Sequence, residues 1–85
     1  EKDFSTAVRQ YNNFFYKKKF NKVEKEVLIE MFYQLGPRGV LKFKKMLYYL
    51  EKKQKHMTCL EMMDSLWYKQ TPNRVLGLIK RILKN

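Results

Sequence analysis

Apolar residues recur at three- and four-residue spacing along nearly the whole chain, and that spacing predicts helices. Phe4, Ala7, Val8, Tyr11, Phe14 and Phe15 fall on one face of a first helix. Asp3 or Ser5 is placed to cap it, and Lys17, Lys18 and Lys19 occupy its last turn, where positive charge suits the helix dipole. Val23, Val27, Leu28, Met31, Phe32 and Leu35 make the inner face of a second helix. Asn21 and Glu24 stand at capping-box spacing at its start, and Gly36 supplies its stop. A third helix is expected from Pro37 to Lys53, with Val40, Phe43, Met46, Leu47 and Leu50 inward. After a polar linker, Lys53–His56, Thr58 and Glu61 read as a capping box opening a fourth helix. Its apolar face is Leu60, Met63, Leu66 and Trp67, and it stops near Gln70. Thr71-Pro72 starts a fifth, which turns Val75, Leu76, Leu78, Ile79, Ile82 and Leu83 inward.

The fold expected from this pattern is all-α: a compact bundle of five helices with helix-turn-helix-like joints. The joints fall near Phe20–Asn21, Gly36–Gly39, Gln54–Met57 and Gln70–Thr71. At 85 residues the chain reads as a single basic helical domain, 1–85, and its start at Glu rather than Met reads as excision from a longer protein. Aromatic residues make up 15% of it, which excludes a disordered basic tail. A lone cysteine permits no intrachain disulfide, and no apolar run approaches the ~20 residues of a membrane span. Together these point to an intracellular setting, nuclear or cytoplasmic.

Charge changes the picture most. The net charge is +11, and it is sorted: residues 1–20 carry +3, 21–35 carry −1, 36–57 carry +6, 58–70 carry −1 and 71–85 carry +4. A folded unit built this way has a positive side, and a positive side implies an anionic partner. Arg38, Lys42, Lys45, Tyr49 and Lys52 line up at helical spacing on the expected third helix, a row of about 20 Å. Arg74, Lys80, Arg81 and Lys84 lie on the polar arc of the fifth, with Asn73 and Arg74 at its N-terminal end, where base contacts are made in helix-turn-helix proteins. The expected function is therefore nucleic-acid binding, DNA more than RNA, through phosphate contacts by these residues. The alternative is a protein-interaction module of a regulatory or chromatin assembly, its partner acidic and hydrophobic. Docking on an anionic membrane ranks third.

Catalysis and metal binding are not expected. One His, one Cys, two Asp and six Glu form no recognisable nucleophile–base pair or carboxylate motif. His56 and Cys59 alone do not make a zinc site, and no cofactor is expected. Leu66-Trp67-Tyr68 followed by Asn73-Arg74 is spaced somewhat as in a homeodomain recognition helix, and Pro72, which would break that helix, rules the match out.

Overall fold

A computed structural model of the chain describes residues 4–84. They form six α-helices: α1 (Phe4–Phe15), α2 (Lys22–Leu41), α3 (Lys44–Glu51), α4 (Lys55–Met63), α5 (Leu66–Gln70) and α6 (Pro72–Lys84). The all-helical class is as the sequence implies; the count is six rather than five. The helices divide into two packed units, Glu1–Phe43 and Lys44–Asn85.

In the first unit α1 lies against α2, joined by rings. Phe15 sits 5.7 Å from Tyr11, 5.8 Å from Phe32 and 5.8 Å edge-on from Phe20. Phe14 stacks on Phe32 at 6.1 Å. Each such pair contributes about 0.5–1.5 kcal/mol beyond its buried area. Ala7, Tyr11 and Phe15 are buried as expected, whereas Phe4 and Phe14 are about half exposed. Lys17, Lys18 and Lys19 lie past the end of α1, so they do not sit in its last turn; the Asp3 cap lies outside the described residues.

The start of α2 follows the sequence closely. The Glu24 amide donates to Asn21 Oδ1 at 2.8 Å, and the Asn21 amide donates to Glu24 Oε1 at 2.9 Å. This is a complete capping box, and it satisfies two backbone donors that would otherwise lack partners. Val27, Leu28, Ile29, Met31 and Phe32 are all buried, so α2 is enclosed on more than one face.

Gly36 interrupts α2 with φ 75° and ψ 172°, a backbone conformation open essentially to glycine alone. Pro37 begins the short helical run that follows, as expected. The kink brings Gly39 against Leu35: a Cβ at position 39 would lie 2.6 Å from that of Leu35. The expected third helix does not continue to Lys53. It stops at Leu41, and α3 begins at Lys44. The Lys42 and Phe43 amides close back onto Arg38 and Val40 carbonyls. Val40 is buried in the first unit and Met46 and Leu50 in the second.

In the second unit α4 packs against α3, α5 and α6. The buried set is Met46, Leu50, Cys59, Met62, Trp67, Val75, Leu78, Ile79 and Ile82. Two expectations fail in α4. The helix starts at Lys55, so Thr58 is not its cap but an interior residue whose hydroxyl donates to the Gln54 carbonyl at 2.8 Å. That register buries Thr58, Cys59 and Met62 and turns out Leu60 (55% exposed), Met63 and Leu66 (68%). A threonine is hidden in preference to a leucine because its one hydrogen-bonding group is satisfied within the helix. The chain then turns at Asp64. Ser65 Oγ donates to the Met62 carbonyl and accepts the Tyr68 amide at 3.1 Å, capping α5 as a separate helix.

α6 begins at Pro72, directly after Thr71, and its inner face is Val75, Leu78, Ile79 and Ile82. Leu76 is half-buried and Leu83 exposed, so the expected inner face is wider than the real one.

Candidate functional site

The ten residues singled out from the sequence divide between the two units. Arg38 and Lys42 belong to the first; Lys45, Tyr49, Lys52, Asn73, Arg74, Lys80, Arg81 and Lys84 belong to the second. All are exposed except Tyr49, which is half-buried. The row Arg38–Lys42–Lys45–Tyr49–Lys52 required one continuous helix. α2 ends at Leu41 and α3 begins at Lys44, so these residues do not stand on one continuous helix. Within α3 the aromatic pair Tyr48–Tyr49 packs edge-on at 5.5 Å, and Lys52 Nζ lies 5.7 Å from the Tyr48 ring.

The α6 group survives as a geometric unit. Asn73, Arg74, Gly77, Lys80, Arg81 and Lys84 are exposed, and at 100° per residue they occupy an arc of about 120°. Arg74 and Lys84 are ten residues apart, about 15 Å along the axis. The helix contains no acidic residue, and its buried stripe lies on the opposite side. At the centre of the arc is Gly77, where an added Cβ would meet nothing within 4 Å. Sequence reasoning found this surface because charge periodicity and apolar periodicity agree within one unbroken helix.

Three further features were not found from the sequence. On α2, Gln34 Nε2 donates to Glu30 Oε2 at 3.2 Å, making a part-buried amide–carboxylate pair one turn apart. Glu30–Gln34 spacing on a helix is a signal for such a pair, but one shared by many ordinary helix surfaces. Second, Lys53, Gln54, Lys55, His56 and Met57 line a shallow open depression of about 380 Å³. Lys53 there adopts φ 64°, terminating α3 in the left-handed conformation more often taken by glycine. Third, Met57, Leu60, Met63 and Leu66 leave apolar surface on the outside of the second unit.

Two groups are tuned by burial. Burial raises the Cys59 thiol above its ordinary value, so it is held as an uncharged thiol and packs as a small apolar group. Burial, and secondarily the Glu24 carboxylate, raise the Tyr11 phenol. Among the described residues Glu24 is the one buried carboxylate, and it is committed to the α2 cap. No group of three or more His, Cys, Asp or Glu gathers to hold a metal ion among the described residues. No helix among them is long and apolar enough to cross a membrane.

No family model and no solved structure matches the chain. A curated protein does. The chain is similar to Probable T4-type lysozyme 1 of Dictyostelium discoideum, with 37% identity over 79 residues. The match covers 87% of this chain and 46% of the relative, so the chain spans less than half that protein's length. This likeness overturns the expectation of a DNA-binding, non-enzymatic domain, together with its regulatory or chromatin alternative, its nuclear setting and its nucleic-acid partner. The relative is named as an enzyme. The physical reason for the error is plain: a cationic face records that a partner is anionic and carries nothing about which polymer that is.

Proposed function

We propose that the protein is a lysozyme-type glycoside hydrolase acting on bacterial cell-wall peptidoglycan, and that this chain forms a helical part that binds and positions the glycan. The observation that carries the reading is the 37% identity to a T4-type lysozyme over most of the chain. The exposed chemistry is compatible with it. Asn73 at the start of α6 is exposed, and the Glu30–Gln34 pair on α2 is part-buried. Amide and carboxylate groups of this kind hydrogen-bond to sugar hydroxyls, acetamido groups and peptide amides.

Cleavage of a glycosidic bond needs two carboxyl groups flanking it, one of them kept protonated. The buried Glu24 is spent on the capping box. The proposal therefore gives this chain the binding share of the reaction. It takes the carboxylate pair from the part of a lysozyme-length protein that the chain does not span.

The test is release of reducing ends from purified peptidoglycan by the intact protein. The reading predicts release that rises linearly with enzyme. Absence of release across acidic to neutral pH, from folded protein, would overturn it.

A further inference from the structure

Gly77 needs a reason. A glycine inside a helix costs about 1 kcal/mol relative to alanine, and this one lies six residues into a thirteen-residue helix. Close packing is the usual explanation, and the structure removes it: space around the position is open. Its φ is not positive either, so no left-handed backbone calls for glycine. What surrounds it on the helix surface is charge. Arg74 stands one turn before it, Lys80 and Arg81 one turn after, and Lys84 a further turn on. The result is a cationic strip with bare backbone at its middle, on a helix with no acidic side chain.

We infer that this strip of α6 is a binding site for a phosphodiester-linked anionic polymer carried on the cell wall, separate from the glycan that is cleaved. The inference rests on the lysozyme reading for its setting and on the α6 geometry for its chemistry. A linear polyanion presents charge repeatedly along one line, as the strip presents cations repeatedly along about 15 Å of helix. The Arg74 guanidinium fork matches phosphate oxygens two at a time, and lysine ammoniums neutralise phosphate as point charges. Gly77 lets the chain lie close to the helix axis, where the cations on either side reach it together. The function of such a site is retention: the protein stays on the wall between cleavage events and its encounter rate rises at low ionic strength.

The experiment uses the intact protein and two preparations of one bacterial wall, the first with its polyol-phosphate polymer and the second after hydrofluoric acid has cleaved the phosphodiesters. Sedimentation gives binding and reducing-end release gives cleavage. Binding is expected to be at least about tenfold tighter to the untreated wall at low salt and to lose that advantage as salt screens it. The triple variant Arg74→Gln, Lys80→Gln, Lys84→Gln is expected to lose the advantage while still cleaving the treated wall. Arg81 is engaged within the fold and is left intact. A matched variant in the first unit, Lys17→Gln, Lys22→Gln, Lys42→Gln, removes the same charge and is expected to keep binding within about twofold if the site is local. Gly77→Leu, which favours the helix and covers the bare backbone, is expected to weaken binding severalfold without loss of stability.

Equal binding to both walls overturns the inference, as does equal loss in the two triple variants, which would make the effect one of net charge. Tighter binding at matched phosphate and salt to duplex DNA or to phosphatidylglycerol vesicles also overturns it. Failure to cleave the treated wall overturns the lysozyme reading instead, so the two failures are distinct.

Discussion

Gly36→Ala and Gly77→Ala are the same chemical change with opposite expected signs. At Gly36 an alanine would have to adopt φ 75° and ψ 172°. An added Cβ meets nothing within 4 Å, so there is no collision to relieve, and the whole cost is backbone strain. That strain is about 1–3 kcal/mol. Alanine also lowers the entropy of the unfolded chain, which returns about 0.4–1 kcal/mol. The net destabilisation therefore lies between about 0 and 2.6 kcal/mol and centres on about 1.3 kcal/mol, a fall in Tm of about 5–10 °C for a chain of this size. At Gly77 the backbone is helical and the space is equally open, so alanine is expected to stabilise by about 0.5–1 kcal/mol. Urea unfolding followed by far-ultraviolet circular dichroism measures both, and a constant m-value shows that the change lies in stability. A synthetic chain with D-alanine at position 36, for which positive φ is favourable, is expected to recover the loss. Equal stabilisation by L-alanine at both positions would refute the reasoning, because it would mean that Gly36 does not hold a glycine-only conformation.

Met62→Ala is expected to cost about 2–5 kcal/mol and Leu60→Ala less than about 0.5 kcal/mol, because Met62 is buried and Leu60 stands outward. The reverse order in the same urea assay would restore the apolar face that the sequence implies for α4. Asn21→Ala removes the acceptor for the Glu24 amide and is expected to cost about 1 kcal/mol. Tyr11 keeps its proton in the folded state to higher pH than its ordinary value of 10.0. Its contribution is thus fully present below that pH and is lost as pH rises through the folded value, since the unfolded chain releases the proton first. The stability difference between wild type and Tyr11→Phe is expected to be constant to about pH 9 and to change in favour of the variant above pH 10.

Local signals in the sequence proved legible. The Asn21–Glu24 box, the Gly36 stop and the Thr71-Pro72 start each depend on a few neighbouring residues, and each is where the pattern puts it. The break at Lys42–Phe43 was hidden because Val40, Phe43, Met46, Leu47 and Leu50 keep helical spacing straight across it. Spacing reports which residues could share a face and not whether the helix that carries them is continuous. The register of α4 was hidden because both of its sides carry apolar residues, Cys59 and Met62 on one and Met57, Leu60 and Met63 on the other. Only the Thr58 hydroxyl bond to Gln54 shows how the more polar side becomes the buried one. The α6 strip was legible because its helix is unbroken, while the longer row through α3 assumed a continuous helix that the chain does not form between Leu41 and Lys44. Function was not legible from charge, since a net +11 fits many anionic partners equally.

The measurement that bears most directly on the account is a two-dimensional NMR titration of the chain at about 150 mM salt, where weak surface attraction is screened. A soluble disaccharide-peptide fragment of peptidoglycan is compared with a short DNA duplex. The account predicts saturable shifts with the glycan fragment at discrete residues, Asn73 or Glu30 and Gln34 among them, and no saturable shifts with the duplex. Saturation by the duplex with no response to the glycan fragment would contradict it.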